Sequence, residues 1–259
     1  MITSKANRQI KNIIQLQKKG KVRSEQQVFV IEGTKMFQEA PEEQIVKTYV
    51  SRSFYEKEEQ HHLLSGREIE IVEDQVFESI ADTKTPQGIL SILKQYHYTL
   101  EELLKEDRPH LLLLENLQDP GNLGTIIRTA EGAGVTGVIM SSDTVDIYNP
   151  KTIRSTMGSI YRMPFFYTNS LSEVIGELQS QKIICYAAHL KGKVDYDVPD
   201  YRAGTAFLIG NEGNGLSEKL SEMANEYIRI PMCGKVESLN AAAASAILMY
   251  EVQRQRKSR

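Results

Sequence analysis

Short apolar runs alternate along this chain with segments whose apolar residues recur every three to four positions. The runs Val28 to Ile31, Ile45 to Val50, Glu68 to Val72 and Ile89 to Leu93 read as strands. Between them, Thr34 to Ala40, Phe54 to Leu64 and Asp74 to Ala81 read as helices, the last with Asp74 as N-cap. Lys94 to Arg108 then turns polar and charged before Pro109, the pattern of a linker with at most a short helix. Leu111 to Glu115 opens the second half as a continuous apolar run, as a parallel strand buried on both faces requires. After it the pattern predicts helix Thr125 to Ala133, strand Gly137 to Met140, helix Lys151 to Thr156, strand Pro164 to Phe166 and helix Leu171 to Gln179. Strands Ile183 to Ala187 and Ala206 to Ile209, helix Ser217 to Ala224, strand Tyr227 to Ile230 and an alanine-rich helix from Ala241 to about Arg254 complete it. The expected fold class is therefore α/β: a doubly wound parallel sheet at residues 110–259, a smaller α/β layer at residues 1–95, and a linker at 96–109. In such a sheet, ligands bind at the carboxyl ends of the strands.

Composition narrows the class without naming a chemistry. The 259 residues are 41% hydrophobic and 25% charged, ordinary for a soluble globular protein. No apolar run approaches the roughly 18 residues of a membrane span, and the N-terminus carries no signal-peptide core, so a cytoplasmic protein is expected. Cys185 and Cys233 lie far apart and read as buried thiols, and the five histidines have no ligand spacing, so no metal is expected. Charge is more informative by position than in total. The net charge is −3, yet residues 1–24 carry Lys5, Arg8, Lys11, Lys18, Lys19, Lys21 and Arg23 with no acid, which leaves −10 for the remainder. With Ile10, Ile13, Ile14 and Leu16 near helical spacing, this segment reads as an amphipathic helix with a basic face. That face is either plain solvated surface or a phosphate-tracking surface.

Three loops leave the carboxyl ends of predicted strands, each rich in Gly, Asn or Ser: Asp119 to Arg128, Gly210 to Ser217 and Pro231 to Asn240. The middle one sets three glycines around a single carboxylate, Glu212. Its spacing is neither the dinucleotide fingerprint nor a phosphate-cradling loop with Lys followed by Ser or Thr. Alone, each loop is as readily a structural turn as a site; at corresponding positions in one sheet, the three together read as a site.

The three loops also carry a resemblance. Asn122-Leu-Gly-Thr-Ile-Ile-Arg128, Ile209-Gly-Asn-Glu-Gly-Asn-Gly-Leu-Ser217 and Ile230-Pro-Met-x-Gly-x-x-x-Ser238-Leu-Asn240 resemble, in order and spacing, the motifs of the SpoU/TrmH family of RNA ribose 2′-O-methyltransferases. Thr83 to Ile89 resembles the end of the substrate-binding domain that many members carry at the N-terminus. The resemblance implies a C-terminal SPOUT domain threaded into a deep trefoil knot, S-adenosylmethionine as cofactor, and a homodimer with the active site near the subunit interface. It implies Arg128 as the central catalytic residue, with Asn122, Glu212, Ser238 and Asn240 completing the site and Glu212 orienting Arg128 or another donor. Leu208, Ile209, Gly210, Ile230, Met232, Ser238 and Leu239 are the implied cofactor residues, although core packing explains Leu208, Ile209 and Ile230 equally well. Lys151, Arg154 and Arg162 join the N-terminal basic residues as candidate RNA-phosphate contacts, with solvated surface as the alternative. The expected substrate is RNA, with 23S rRNA favoured and tRNA as the competitor. A ribosome-associated RNA-binding protein with an inert methyltransferase domain is a different class, as is a small-molecule enzyme on a nucleotide-binding sheet.

Overall fold

The computed structural model describes residues 1–57 and 61–257, and the middle of the helix expected over Phe54 to Leu64 lies outside the described residues. Two compact units emerge: Met1–Tyr96 together with Asp146–Tyr161, and His97–Val145 together with Arg162–Arg259.

In the first unit α1 (Arg8–Lys18) and α2 (Gly20–Gln26) precede β1 (Val28–Glu32), α3 (Thr34–Glu39), β2 (Ile45–Ser51), α4 (Arg52–Tyr55), α5 (His61–Leu64), β3 (Ile69–Val72), α6 (Asp74–Glu78) and β4 (Ile89–Lys94). The sheet runs β1-β4-β2-β3, with only β2 and β3 parallel. The single basic helix expected over residues 1–24 is two helices, because Lys19 takes an extended conformation (φ −125°, ψ 111°) that ends α1. Ile10, Ile13 and Leu16 turn inward onto Val30, Tyr49, Phe77 and Leu90, which puts Lys5, Arg8, Lys11 and Lys18 outside. Phe37, Val50, Phe54, Leu64 and Ile89 pack a second cluster.

The second unit holds α7 (Leu100–Leu103), β5 (His110–Leu114), α8 (Pro120–Ala133) and β6 (Gly137–Ser141) before the chain contributes α9 (Pro150–Thr156) to the first unit. It continues with β7 (Phe165–Thr168), α10 (Leu171–Ser180), β8 (Ile184–Ala188), β9 (Val194–Asp195), β10 (Thr205–Ile209), α11 (Glu218–Met223), β11 (Glu226–Arg229) and α12 (Ala241–Lys257). The expected sheet is present: seven strands, all parallel, in the order β7-β6-β5-β10-β8-β11-β9. Chain order reverses between β5 and its neighbour β10, and such a reversal opens a crevice at the strands' carboxyl ends. Leu113, Ile139, Val174, Ile175, Leu178, Cys185 and Leu208 form the core. The alanine-rich α12 packs along α8 and buries Ala241, Ala242, Ser245, Leu248, Met249 and Val252. The short β9 was not expected, since two residues give no periodicity to read.

In the first unit the segment from Asp146 to Tyr161 is densely tied. Arg23 Nε and Nη2 donate to Asp146 Oδ2 at 2.9 and 2.6 Å, and Arg23 Nη1 donates to the carbonyls of Leu16 and Gln17. The Tyr148 ring lies 4.7 Å from that of Phe29, and its hydroxyl bonds the backbone of Tyr96. Tyr161 donates to the Met36 carbonyl at 2.9 Å.

Candidate active site

Leu114 and Ile209 are register partners on neighbouring parallel strands, so the loops that follow them start side by side, stitched by Glu115 N–H to the Ile209 carbonyl at 2.9 Å. Asn116, in a left-handed conformation (φ 53°), turns the first loop and accepts the side-chain amide of Asn211 on its carbonyl at 2.8 Å. Asn211 Oδ1 accepts from the N–H groups of Gly213 and Asn214, and its backbone pairs with that of Gly215. Residues 211–215 are thereby folded into a tight hairpin. Gly210 is obligatory there: a Cβ on it would stand 2.0 Å from the Gly215 carbonyl carbon and 2.1 Å from Leu216 N, closer than any side chain permits.

That hairpin delivers Glu212 to the start of α8. Its carboxylate accepts from Gln118 N–H and Asp119 N–H, both at 3.0 Å, and from Asn122 Nδ2 at 3.1 Å. Asp119 caps α8 through Asn122 N–H at 2.8 Å, and Pro120 occupies the first turn, so α8 starts five residues earlier than its apolar spacing suggested. Burial acts to raise the pKa of Glu212. The two backbone N–H groups and the Asn122 amide outweigh it and hold the carboxyl below its ordinary value. Asn240 closes the group: its Nδ2 donates to Asn122 Oδ1 at 2.9 Å, while its own Oδ1 accepts from Ala242 and Ala243 N–H as the cap of α12.

Of the residues expected at the site, Asn122, Glu212 and Asn240 are thus hydrogen-bonded in one chain. Arg128 stands apart, exposed on the face of α8 away from the core. It has no hydrogen bond or ion pair among the described residues, and the donors that Glu212 holds are backbone N–H groups and an amide. Ser238 is exposed in the third loop. Leu208 and Ile209 are buried in β10, and the Ile209 carbonyl is already engaged by Glu115. Gly210, Ile230, Met232 and Leu239 are half-buried at the strand ends. The sequence singled out neither Gln118, whose side chain bridges Asn116 Oδ1 at 2.5 Å and the Asp143 carbonyl at 2.7 Å, nor the loop after β8. There the Gly192 backbone runs so close to β11 that a Cβ would meet the Ile228 carbonyl carbon at 2.7 Å. A glycine a few residues past a predicted strand end was the available signal.

The basic candidates divide. Lys5, Arg8, Lys11, Lys18, Lys19 and Lys21 are exposed, but Arg23 is 4% exposed with its guanidinium consumed by Asp146 and two carbonyls; it is an internal brace and not a phosphate contact. Lys151 and Arg154 lie on α9, where Arg154 is ion-paired with Asp82, and Arg162 is ion-paired with Glu131. Cys185 is buried as expected, whereas Cys233 is exposed on the third loop, where no strand or helix covers it.

Residues 109–250 match the SpoU rRNA Methylase family, and residues 7–91 match the MRM3-like substrate binding domain. The chain belongs to the SpoU methylase family. It is 33% identical over 253 residues to the 23S rRNA (guanosine(2553)-2′-O)-methyltransferase RlmP of Bacillus subtilis, covering 97% of this chain and 98% of that one. It superposes on the AdoMet-bound rRNA methyltransferase from Sinorhizobium meliloti with a TM-score of 0.86 at 32% identity, covering 99% and 98% of the two chains. The SpoU methyltransferase AviRb from Streptomyces viridochromogenes, in complex with AdoMet, gives a TM-score of 0.87 at 24% identity over 97% and 99%, a likeness of fold. As in the AdoMet-bound structure from Sinorhizobium meliloti, the cofactor of this family is S-adenosylmethionine.

The third loop fits such a ligand. Among the described residues, no polar group of residues 231–239 is engaged in a hydrogen bond, while Met232 and Leu239 offer half-buried apolar side chains beside those open backbone donors and acceptors.

Proposed function

We propose that the protein methylates the 2′-hydroxyl of a ribose in 23S rRNA, using S-adenosylmethionine. The observation that carries this reading is the near full-length likeness to a 23S rRNA 2′-O-methyltransferase, in a chain whose Asn122, Glu212 and Asn240 meet at the strand ends. When bound, S-adenosylmethionine supplies a methyl on a positively charged sulfonium, which leaves as a neutral thioether. The chain's own residues must hold the donor and stabilise the ribose oxygen as its proton passes to solvent. Gly210, Ile230, Met232, Ser238 and Leu239 would hold the cofactor through backbone polar groups and apolar walls. Leu208 and Ile209 would serve by fixing the end of β10. A guanidinium in its charged form has five donors and no acceptor, which suits Arg128 to gripping an adjacent phosphate and lowering the acidity barrier of the hydroxyl rather than to accepting its proton.

The first unit is assigned the docking of RNA, through Lys5, Arg8, Lys11, Lys18, Lys19 and Lys21 and through Lys151 and Arg154. The reading includes a cytoplasmic homodimer, in which the outward-facing Arg128 completes a site near the subunit interface, and a trefoil-knotted second unit. Both are supported by family membership.

The deciding experiment incubates the protein with methyl-labelled S-adenosylmethionine and unmodified 23S rRNA or tRNA, and maps alkali-resistant linkages. Ribose label in 23S rRNA is expected. Label confined to tRNA would reassign the substrate, and label on a base would overturn the reaction class.

A further inference from the structure

Two asparagine side chains lie between the N-terminus of α12 and the Glu212 carboxylate, and their orientations are fixed independently from opposite ends. At one end Asn240 caps α12: the N–H groups of Ala242 and Ala243, at 2.9 and 3.3 Å, have only hydrogens to offer, so the atom facing them must be the amide oxygen. The nitrogen of Asn240 therefore points the other way. At the far end Glu212 has its carboxyl held ionised by the Gln118 and Asp119 N–H groups, and a carboxylate accepts only. The atom of Asn122 facing it must be the nitrogen, so the oxygen of Asn122 points back towards Asn240. The two remaining ends are complementary and meet at 2.9 Å. Neither amide can flip without breaking bonds on both sides.

We propose that Asn240 and Asn122 form a one-directional amide relay whose purpose is to present the unspent N–H of Asn122 as a fixed donor to the ribose 2′-oxygen as that oxygen gains negative charge. Every donor in the series points from α12 towards Glu212. Each amide is polarised by its neighbour: the positive end of a 17-residue helix draws on the Asn240 oxygen, and the carboxylate draws on the Asn122 nitrogen. The first hydrogen of Asn122 Nδ2 is held by Glu212; the second has no partner among the described residues. The carboxylates of this cluster are spoken for: the Glu212 oxygens are engaged by three donors, and Asp119 Oδ1 accepts the Asn122 N–H as the cap of α8. The relay therefore offers hydrogen bonds and accepts no proton, which assigns Asn122 as a catalytic donor and Asn240 as the positioning residue behind it. A donor fixed in advance needs no reorganisation as charge develops, the condition under which such a group contributes most.

The inference rests on the proposed ribose transfer, and Asn240→Asp separates the two. Aspartate caps a helix as well as asparagine, so the variant should fold with its cofactor affinity kept and its melting temperature lowered only by the loss of the bond to Asn122. Ionised, it cannot donate to Asn122 Oδ1; protonated, it can. At pH 8 the variant should lose at least a hundredfold in kcat with little change in KM for RNA. Its activity relative to wild type should then recover at least tenfold as pH is lowered to 6. Asn240→Ser, which caps but is too short to reach Asn122, should lose activity without that recovery. A pH-independent ratio for Asn240→Asp, or full activity at pH 8, would overturn the relay. Absence of ribose methylation by wild type would instead overturn the proposed function. Without any variant, the bonded amide hydrogens of Asn122 and Asn240 in the 15N-labelled wild type should exchange at least tenfold more slowly than those of exposed Asn214; equal rates would also overturn it.

Discussion

Arg23 Nη2 stands 2.6 Å from Asp146 Oδ2, across 123 residues of sequence, and ties α2 to the segment that carries α9. The arginine is buried, while the Asp146 side chain is 35% exposed and keeps access to water. Removing the guanidinium strands two carbonyls and one carboxylate. Arg23→Met should therefore cost about 2–3 kcal/mol, below the 3–5 kcal/mol typical of a fully buried pair. A lowered urea midpoint of the first unit, recovered in part by adding Asp146→Asn, would check it. Unchanged RNA affinity of the folded fraction would separate this brace from the exposed lysines.

Those lysines should behave differently. Replacing Lys5, Lys11, Lys18 and Lys19 with alanine leaves the apolar face of α1 intact, so melting should hardly change. Affinity for rRNA should fall, and the slope of log affinity against log salt should flatten by close to one unit for each phosphate no longer neutralised. A salt slope equal to that of wild type would return these side chains to plain solvated surface.

Gly210→Ala should abolish activity through the hairpin that follows β10. The new methyl cannot coexist with the Gly215 and Leu216 backbone, so the hairpin that carries Glu212 must open. S-adenosylmethionine affinity, measured by calorimetry, should drop more than tenfold, with the second unit's core still folded.

His110 gives the fold an acid-side weakness. It is 1% exposed at the start of β5, and burial, with the Arg256 charge second, pushes its pKa from 6.5 down to about 3. The unfolded chain takes up a proton below pH 6.5 that the folded chain refuses until about pH 3, so stability falls as pH drops through that window. The slope approaches about 1.4 kcal/mol per pH unit. His110→Phe, which keeps a ring against Phe207, should remove this contribution; chemical denaturation of both proteins across the window measures the difference.

Apart from β9, the strands were legible to within a residue or two, most clearly where a continuous apolar run is closed by a polar residue, as Leu111 to Leu114 is by Glu115. The gathering of the loops that form the candidate site was legible for a related reason, since parallel strands send their glycine- and asparagine-rich loops to one end. What Glu212 holds was not: backbone N–H groups carry no side-chain signature, and the tempting partner, Arg128, faces elsewhere. Nor could charge counting tell Arg23 from the lysines around it, because burial depends on Asp146, far along the chain. The extended turn at Lys19 was equally hidden, since the isoleucine spacing continues smoothly up to it.

The membership of Asp146–Tyr161 in the first unit bears on how this protein can be cut and recombined. A fragment trimmed at the apparent boundary would leave Tyr148, Ile153 and Tyr161 without the surface they cover, a sticky remnant on an otherwise sound catalytic half. Any swap of the first unit must therefore move two separated stretches together.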